Sequence, residues 1–278
     1  MPSVPARPTL RRRRDLLADG WTDRGLARAV ADGRLLKPRP NAYLLPDTPV
    51  DVVDACRLGG RLACVSELVR LGVFVLDADG LHLHLHDNRE GVATPTRRTR
   101  RHWDRLRRPP APWSTSVEAF DAVLQAVRCQ QPRAALATLD SALHLRVLRP
   151  DDLGELFEAL PRRHRVLRRL IDARAESGPE SLMRLMLRSL RASFDVQVEI
   201  VGVGRVDFVV DGWLIVECDS RGFHATWEEQ RRDRRRDQAA AALGYATYRP
   251  IAEDIMWHPG EVRAALEGLL RGRSARAR

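Results

Sequence analysis

Residues 205–219, RVDFVVDGWLIVECD, alternate apolar and polar side chains on both sides of a glycine, and no other stretch constrains the chain as tightly. Strand side chains point to opposite faces in turn, so Val206, Phe208 and Val210 share one face. Leu214, Val216 and Cys218 do the same on the next strand. All six meet on one face only if an odd-length loop is centred on Gly212, pairing Val206 with Cys218, Phe208 with Val216 and Val210 with Leu214. Glycine there supplies the positive φ of a three-residue hairpin loop with a bulge. A two-residue Asp211-Gly212 turn would divide the apolar set between two faces. The odd register sets Asp207 opposite Glu217, with Asp219 one step beyond on that face.

Three carboxylates gathered in this way repel one another and are pushed toward higher pKa unless a cation lies among them. A divalent metal is the simplest remedy. Mg²⁺ prefers hard oxygen ligands and retains several waters, so one or two carboxylates plus a substrate phosphate make its usual environment. Such a metal lowers the pKa of a bound water and stabilises charge on a scissile phosphate. A solvated polar sheet face would carry the same residues without a metal.

The flanks complete an α/β unit. Ser177-Gly178-Pro179-Glu180 has serine at an N-cap, proline early in the helix and glutamate three residues after the serine, a strong start for a helix to about Ala192. Strands are expected at Val196–Val201, Arg205–Val210 and Trp213–Cys218. Thr226-Trp227-Glu228-Glu229 repeats the capping signal and opens a helix to Gly244, followed by a strand Tyr245–Arg249 and a helix from about Gly260.

Together the stretches SGPES, GRVDFVV, LIVECDSRGFH and RRDRRRDQAAAALGYATYRP resemble the PD-(D/E)XK nuclease-fold family related to very-short-patch repair endonucleases, across residues 175–278. The resemblance implies a restriction-endonuclease-like core and a Mg²⁺-dependent DNA endonuclease, with Mn²⁺ as a substitute metal. By the same resemblance Glu180, Asp207, Glu217, Asp219 and His224 are catalytic, and Asp207, Glu217 and Asp219 hold the metal. Arg236 and Arg249 then contact DNA, and Asp233 supports the site. Two departures stand out: Ser220 replaces the usual glycine after Asp219, and Asp219 occupies the place of the lysine in E-x-K. Another group must then position the water. His224 is the local candidate, because imidazole exchanges a proton near neutral pH. Glu180 has a competing task as the capping partner of Ser177.

At the other end, the segment RDLLADGWTDRGLARAVADGRLLKPRPNAYLL reads as a helix, a turn at Gly20, a second helix from an N-cap at Thr22 to Asp32, a C-cap at Gly33 and a short strand through Tyr43 to Leu45. It resembles the winged-helix domain of AbiE-type (type IV) antitoxins. That likeness makes Thr22–Val30 the recognition helix, with Arg24 and Arg28 one turn apart on its DNA-facing side. A packing domain with a solvated basic face would look similar.

Between these ends the signals are plainer. Residues 50–90 read as a mixed segment with an apolar helix around Val65–Leu71 and an alternating strand from Leu81 to His86. His82, His84 and His86 share one strand face at a spacing that could hold a metal. With no nearby cysteine or second histidine cluster in sequence, the leucines are expected to face the core and the histidines solvent. From Arg97 to Arg108 seven arginines accompany one aspartate, and prolines follow, as in a basic loop. Helical periodicity then recurs at Ala119–Val127, Arg133–Leu143 and Asp151–Leu160, without a catalytic constellation.

The expected order is therefore a winged helix at 1–48, a mixed α/β segment at 49–112, a helical connector at 113–174 and the nuclease-like domain at 175–278, a mixed α/β protein with more than one core. Lysine and arginine number 47 against 37 acidic residues, a net charge of +10, and Lys37 is the only lysine. Guanidinium binds phosphate oxygens bidentately and stays charged, so double-stranded DNA is the expected partner; charge alone leaves RNA and a homodimer open. No run approaches the ~18 apolar residues of a membrane span, and the N-terminal residues lack a signal-like apolar stretch, so a cytoplasmic protein with no membrane partner is expected. Cys56, Cys64, Cys129 and Cys218 form no CxxC pair and read as reduced core residues. The main functional expectation is a DNA endonuclease, nicking or cutting both strands. Its rival is an antitoxin-like transcriptional regulator whose nuclease fold is non-catalytic.

Overall fold

The computed structural model describes residues 7–86, 94–219 and 227–276. In chain order its elements are β1 (Arg11–Arg12), α1 (Arg13–Ala18), α2 (Asp23–Ala31), β2 (Leu36–Arg39), β3 (Ala42–Leu44), α3 (Val50–Arg57), β4 (Arg61–Leu62), α4 (Cys64–Arg70), β5 (Leu81–His84), β6 (Thr99–His102), α5 (Ala119–Cys129) and α6 (Pro132–His144). They continue as α7 (Leu153–Ala159), α8 (Gly178–Ser189), β7 (Phe194–Ile200), β8 (Gly204–Val210), β9 (Leu214–Val216), α9 (Trp227–Ala242), β10 (Ala246–Tyr248), α10 (Ala252–Trp257) and α11 (Pro259–Arg276). The protein is mixed α/β, and no described helix is long and apolar enough to cross a membrane. The chain divides into two compact units, Met1–Gln131 with Leu145–Arg165, and Pro132–His144 with Val166–Arg278. Residues 113–174, expected as a connector, are thus shared out: α5 and α7 join the first unit and α6 the second.

The first unit begins with α1 and α2 against the sheet β1-β3-β2. Thr22 caps α2 by accepting the Gly25 N–H at 3.1 Å, and Gly20 and Gly33 turn the chain at φ +89° and +70°. Leu16, Leu26, Ala29, Leu35 and Tyr43 form its core. A second sheet, β4-β5-β6, follows, with β5 antiparallel to β4 and parallel to β6.

Two expectations fail here. His82 and His84 do not face solvent; they are only 9% and 4% exposed. Alternation marks a half-buried strand, but both faces of β5 are covered: the leucines pack with Val52, Ala55 and Cys56 of α3, and the histidine side meets Ser66 of α4 and Gln125 of α5. Nor is 97–108 a loop throughout. Thr99–His102 forms β6, and flanking arginines are paired: Arg97 with Asp51 and Asp54, Arg98 with Asp79, Arg108 with Glu155 and Asp152.

The second unit is built on the sheet β10-β9-β8-β7. Strands β7, β8 and β9 form an antiparallel meander, and α9 carries the chain over to β10, which runs parallel to β9. The hairpin adopts the odd register: Phe208 pairs with Val216 and Val210 with Leu214 across a 211–213 loop, with Gly212 at φ +73°. The ladder ends there, so the expected Val206–Cys218 pair is not made. Instead the Cys218 N–H donates to Asp207 Oδ2 at 2.8 Å, while Glu217 N–H and Asp219 N–H turn to the carbonyls of Tyr248 and Pro250. Both sheet faces are covered. Val209 and Ile215 join Ala240 of α9 in one cluster, and on the other face Phe194 meets Phe208 edge-on at 6.0 Å.

Helices α6 and α8 are joined by a charge pair deep in this unit. Arg184 Nη2 donates to Asp140 Oδ2 at 2.5 Å, and the two side chains are 2% and 0% exposed. Leu170 O accepts from Arg184 Nη1, and Asp140 Oδ1 accepts the Asp172 N–H. A buried ion pair is tolerable only with such additional hydrogen bonds.

Candidate active site

Asp207 and Glu217 both stand just past the last pair of the β8–β9 ladder, Phe208 with Val216, and Glu217 is tied to α9 through Arg236. Burial pushes the Asp207 carboxyl up to about 6; the Cys218 amide opposes the rise, and Glu180 and Glu176 add to it. Burial also raises Glu217, opposed by Arg249 and Arg236 and reinforced by Asp207. Glu217 therefore senses the charge on Asp207.

Glu217 is held on both oxygens. Arg236 Nη2 donates to Oε1 at 2.9 Å, and Arg249 Nη2 lies 2.5 Å from Oε2. Arg236 also donates to the carbonyls of Val203 and Arg205, binding α9 to the β7–β8 turn. Arg249 pairs at 2.8 Å with Asp237, one helical turn beyond Asp233 on α9. Arg236 and Arg249, expected on DNA, thus point inward to a carboxylate. Asp237 was missed by sequence reasoning, although its i, i+4 spacing from Asp233 puts both on one helix face.

Glu180 is buried at the start of α8 and does two jobs. Its own N–H donates to the Ser177 hydroxyl oxygen, as the capping motif requires, while its carboxylate accepts from Ser177 Oγ at 2.8 Å, Glu176 N at 2.9 Å and Gln197 Nε2 at 2.9 Å. Gln197 occupies the β7 position facing Asp207, between the pairs Val196–Phe208 and Val198–Val206, and has φ +53°. A non-glycine residue in that region is strained, and the strain aims its amide at Glu180. Asp219 is exposed at the end of this segment, where its backbone bridges to Ile251. Asp233 lies half-buried on α9. His224 and Ser220 lie outside the described residues.

In the first unit Arg24 and Arg28 are exposed on α2, opposite the buried Leu26 and Ala29. Arg28 reaches Asp32 only at 3.7 Å. Much of the other positive charge nearby is already paired, Arg12 with Asp15 and Arg13 with Asp23.

Among the described residues, one group of three or more metal-ligating side chains has its donor atoms all within 4.8 Å of one another: Cys64, His82, His102 and Cys129. Asp207, Glu217 and Asp219 are not gathered so tightly. The Cys/His group escaped sequence reading because its members stand 18, 20 and 27 residues apart on four elements, with no short motif. The only local signal was the histidine alternation in β5. Compared with protein-family models and with curated proteins, the chain matches none.

Proposed function

We propose that the second unit is a metal-dependent phosphodiester hydrolase acting on double-stranded DNA, with the first unit's exposed α2 face holding the duplex. The observation that carries this reading is that Asp207 and Glu217 each stand one residue past the Phe208–Val216 pair, both half-buried and both raised in pKa, with Glu180 adding to the rise at Asp207. Raised, mutually repelling carboxyls are common where a functional charge is managed. The helix, three-strand meander, helix and parallel strand also follow the order that the nuclease resemblance implies.

The donors suit Mg²⁺, or Mn²⁺, in type, being hard oxygens. Asp207 Oδ1 accepts no hydrogen bond among the described residues, so Asp207 would hold the metal first, with Asp219 as the second ligand that the resemblance implies. Glu217 would join them only on release from Arg236 or Arg249. When bound, the metal supplies an activated water and stabilises charge on the phosphate. The chain's own residues hold Asp207 in place through the Cys218 amide and keep Glu180 oriented through Ser177 and Gln197. His224 is proposed as the group that exchanges a proton with the water, and Asp233 as support from α9. RNA is a further polyanion this site could accept, and a homodimer would present two such sites.

A second reading has its own support. Glu217 is neutralised by two guanidiniums, as expected where a carboxylate serves packing and not metal binding. On that reading the protein is an antitoxin-like DNA-binding regulator. Incubating the purified protein with supercoiled plasmid in Mg²⁺, Mn²⁺ or EDTA separates the two: cleavage that needs the metal supports the hydrolase, and binding without cleavage in any metal supports the regulator.

A further inference from the structure

Four side chains converge inside the first unit from four elements: Cys64 at the start of α4, His82 in β5, His102 at the end of β6 and Cys129 at the end of α5. His102 Nε2 is 3.4 Å from His82 Nδ1 and 3.9 Å from Cys129 Sγ. Cys64, His82 and His102 are buried and Cys129 is half-buried. We propose that these four residues bind one zinc ion as a closed, structural Cys₂His₂ site.

The donor spacing fits. Zn–S near 2.3 Å and Zn–N near 2.0–2.1 Å in a tetrahedron place neighbouring donors about 3.3–3.8 Å apart. The observed 3.4 Å contact meets that spacing, the 3.9 Å contact lies just beyond it, and the 4.8 Å limit on the rest leaves about 1 Å to close on binding. The donor chemistry selects the ion. Thiolate and imidazole suit zinc, whereas Mg²⁺ and Ca²⁺ require oxygen. Two thiolates with two neutral imidazoles also balance a dication, which permits its burial. Four protein donors fill a tetrahedral shell and leave no position for a reacting water, so the site is structural.

The backbone is shaped around this point. Cys64 is a non-glycine residue at φ +51°, and its N–H donates to Gln125 Oε1 at 3.2 Å across to α5. Gln125 Nε2 in turn lies 3.4 Å from His84 Nδ1, so the next histidine of β5 joins the same buried network. Ser66 Oγ accepts the His82 N–H at 2.9 Å and fixes the strand against α4. An ion held there would fasten the edge strand β6 to β5, α4 and α5 together. The same atoms without metal would be a hydrogen-bonded histidine pair beside two thiols, or a Cys64–Cys129 disulfide.

The test uses the full chain, purified without chelator. Elemental analysis should find one equivalent of zinc per chain, and replacement by Co²⁺ should give the intense d–d bands and thiolate charge-transfer absorption of a tetrahedral sulfur-ligated ion. Cys129→Ser and His102→Ala should abolish that spectrum, while Cys56→Ser and Cys218→Ser should retain it. Because ligand variants could misfold, the wild-type spectrum is decisive alone, and chelator should lower the wild-type melting temperature. The proposal is overturned if the wild type binds Co²⁺ only in a weakly absorbing octahedral form or melts identically in chelator. It is equally overturned if thiol counting finds Cys64 and Cys129 joined as a disulfide.

Discussion

Arg249 Nη2 lies 2.5 Å from Glu217 Oε2, so the acid at the centre of the second unit is held by a guanidinium from beyond β10, with Arg236 on its other oxygen. Both partners are largely buried. Arg249→Met should therefore destabilise the protein by about 1–3 kcal/mol, since removing one partner leaves a buried charge short of compensation. Burial already raises the Glu217 pKa, and Arg249 is the main influence lowering it. Without Arg249 the acid protonates at still higher pH, so the loss should be larger at pH 8, where it must stay charged, than at pH 5. Urea melts at the two pH values check this, and Glu217→Gln should restore part of the loss in a double-mutant cycle. Equal losses at both pH values would contradict the assignment.

Asp207→Asn should stabilise the metal-free protein. The folded-state pKa is about 6 against an ordinary value of 3.8, so the folded state holds the proton more tightly than the unfolded one. Below the unfolded pKa both states are neutral and nothing is lost. Between the two values stability falls as pH rises, and above the folded value the whole cost is present. Asparagine keeps an acceptor for the Cys218 N–H and removes the charge that faces Glu180 and Glu176, with Arg205 the opposing cation. The expected gain above pH 6 is about 1–2 kcal/mol after allowing for partial solvation, vanishing toward pH 4. Thermal melts in EDTA across that range measure it, and a variant less stable throughout would contradict it.

Arg184→Met should be among the most damaging substitutions in the chain. It strands Asp140, which is fully buried and already pushed upward in pKa by that burial. A loss of about 3–5 kcal/mol is expected in denaturant melts. Replacing both partners with apolar residues should recover much of it, and a single variant that melts like wild type would remove the pair from the stability of this unit.

Arg24→Ala with Arg28→Ala should weaken DNA binding without unfolding α2. Both side chains are exposed, and the Arg28–Asp32 contact at 3.7 Å contributes little. If both touch phosphate, the slope of log K against log salt should fall by about two units. An unchanged slope in fluorescence titrations would take this helix out of the interface.

Legibility in the sequence followed the range of the signal. The Val206–Val210 and Leu214–Val216 alternation fixed the hairpin register, and Ser177-Gly178-Pro179-Glu180 fixed the start of α8, because turn length and capping are local. The partners of Glu217 could not be read in this way. They depend on α9 crossing the sheet, which turns Arg236 and Arg249 inward where a basic run suggested solvent or DNA. Burial of His82 and His84 was hidden because alternation reports the strand and not what covers it. For the same reason Cys64, His82, His102 and Cys129 looked scattered until β5 and β6 paired and α4 met α5. Asp140 and Arg184 gave no hint of each other across 44 residues.

The most direct test of the central claim pairs two assays on the wild type and Asp207→Asn: plasmid cleavage in Mg²⁺ and a duplex-binding titration in EDTA. The account predicts that wild type cuts only with metal, that the variant loses cleavage, and that it binds DNA as well as wild type or better, since a negative charge has left the site and the basic surfaces are untouched. A variant that cuts at the wild-type rate, or a wild type that binds duplex and cuts nothing in any metal, would contradict it.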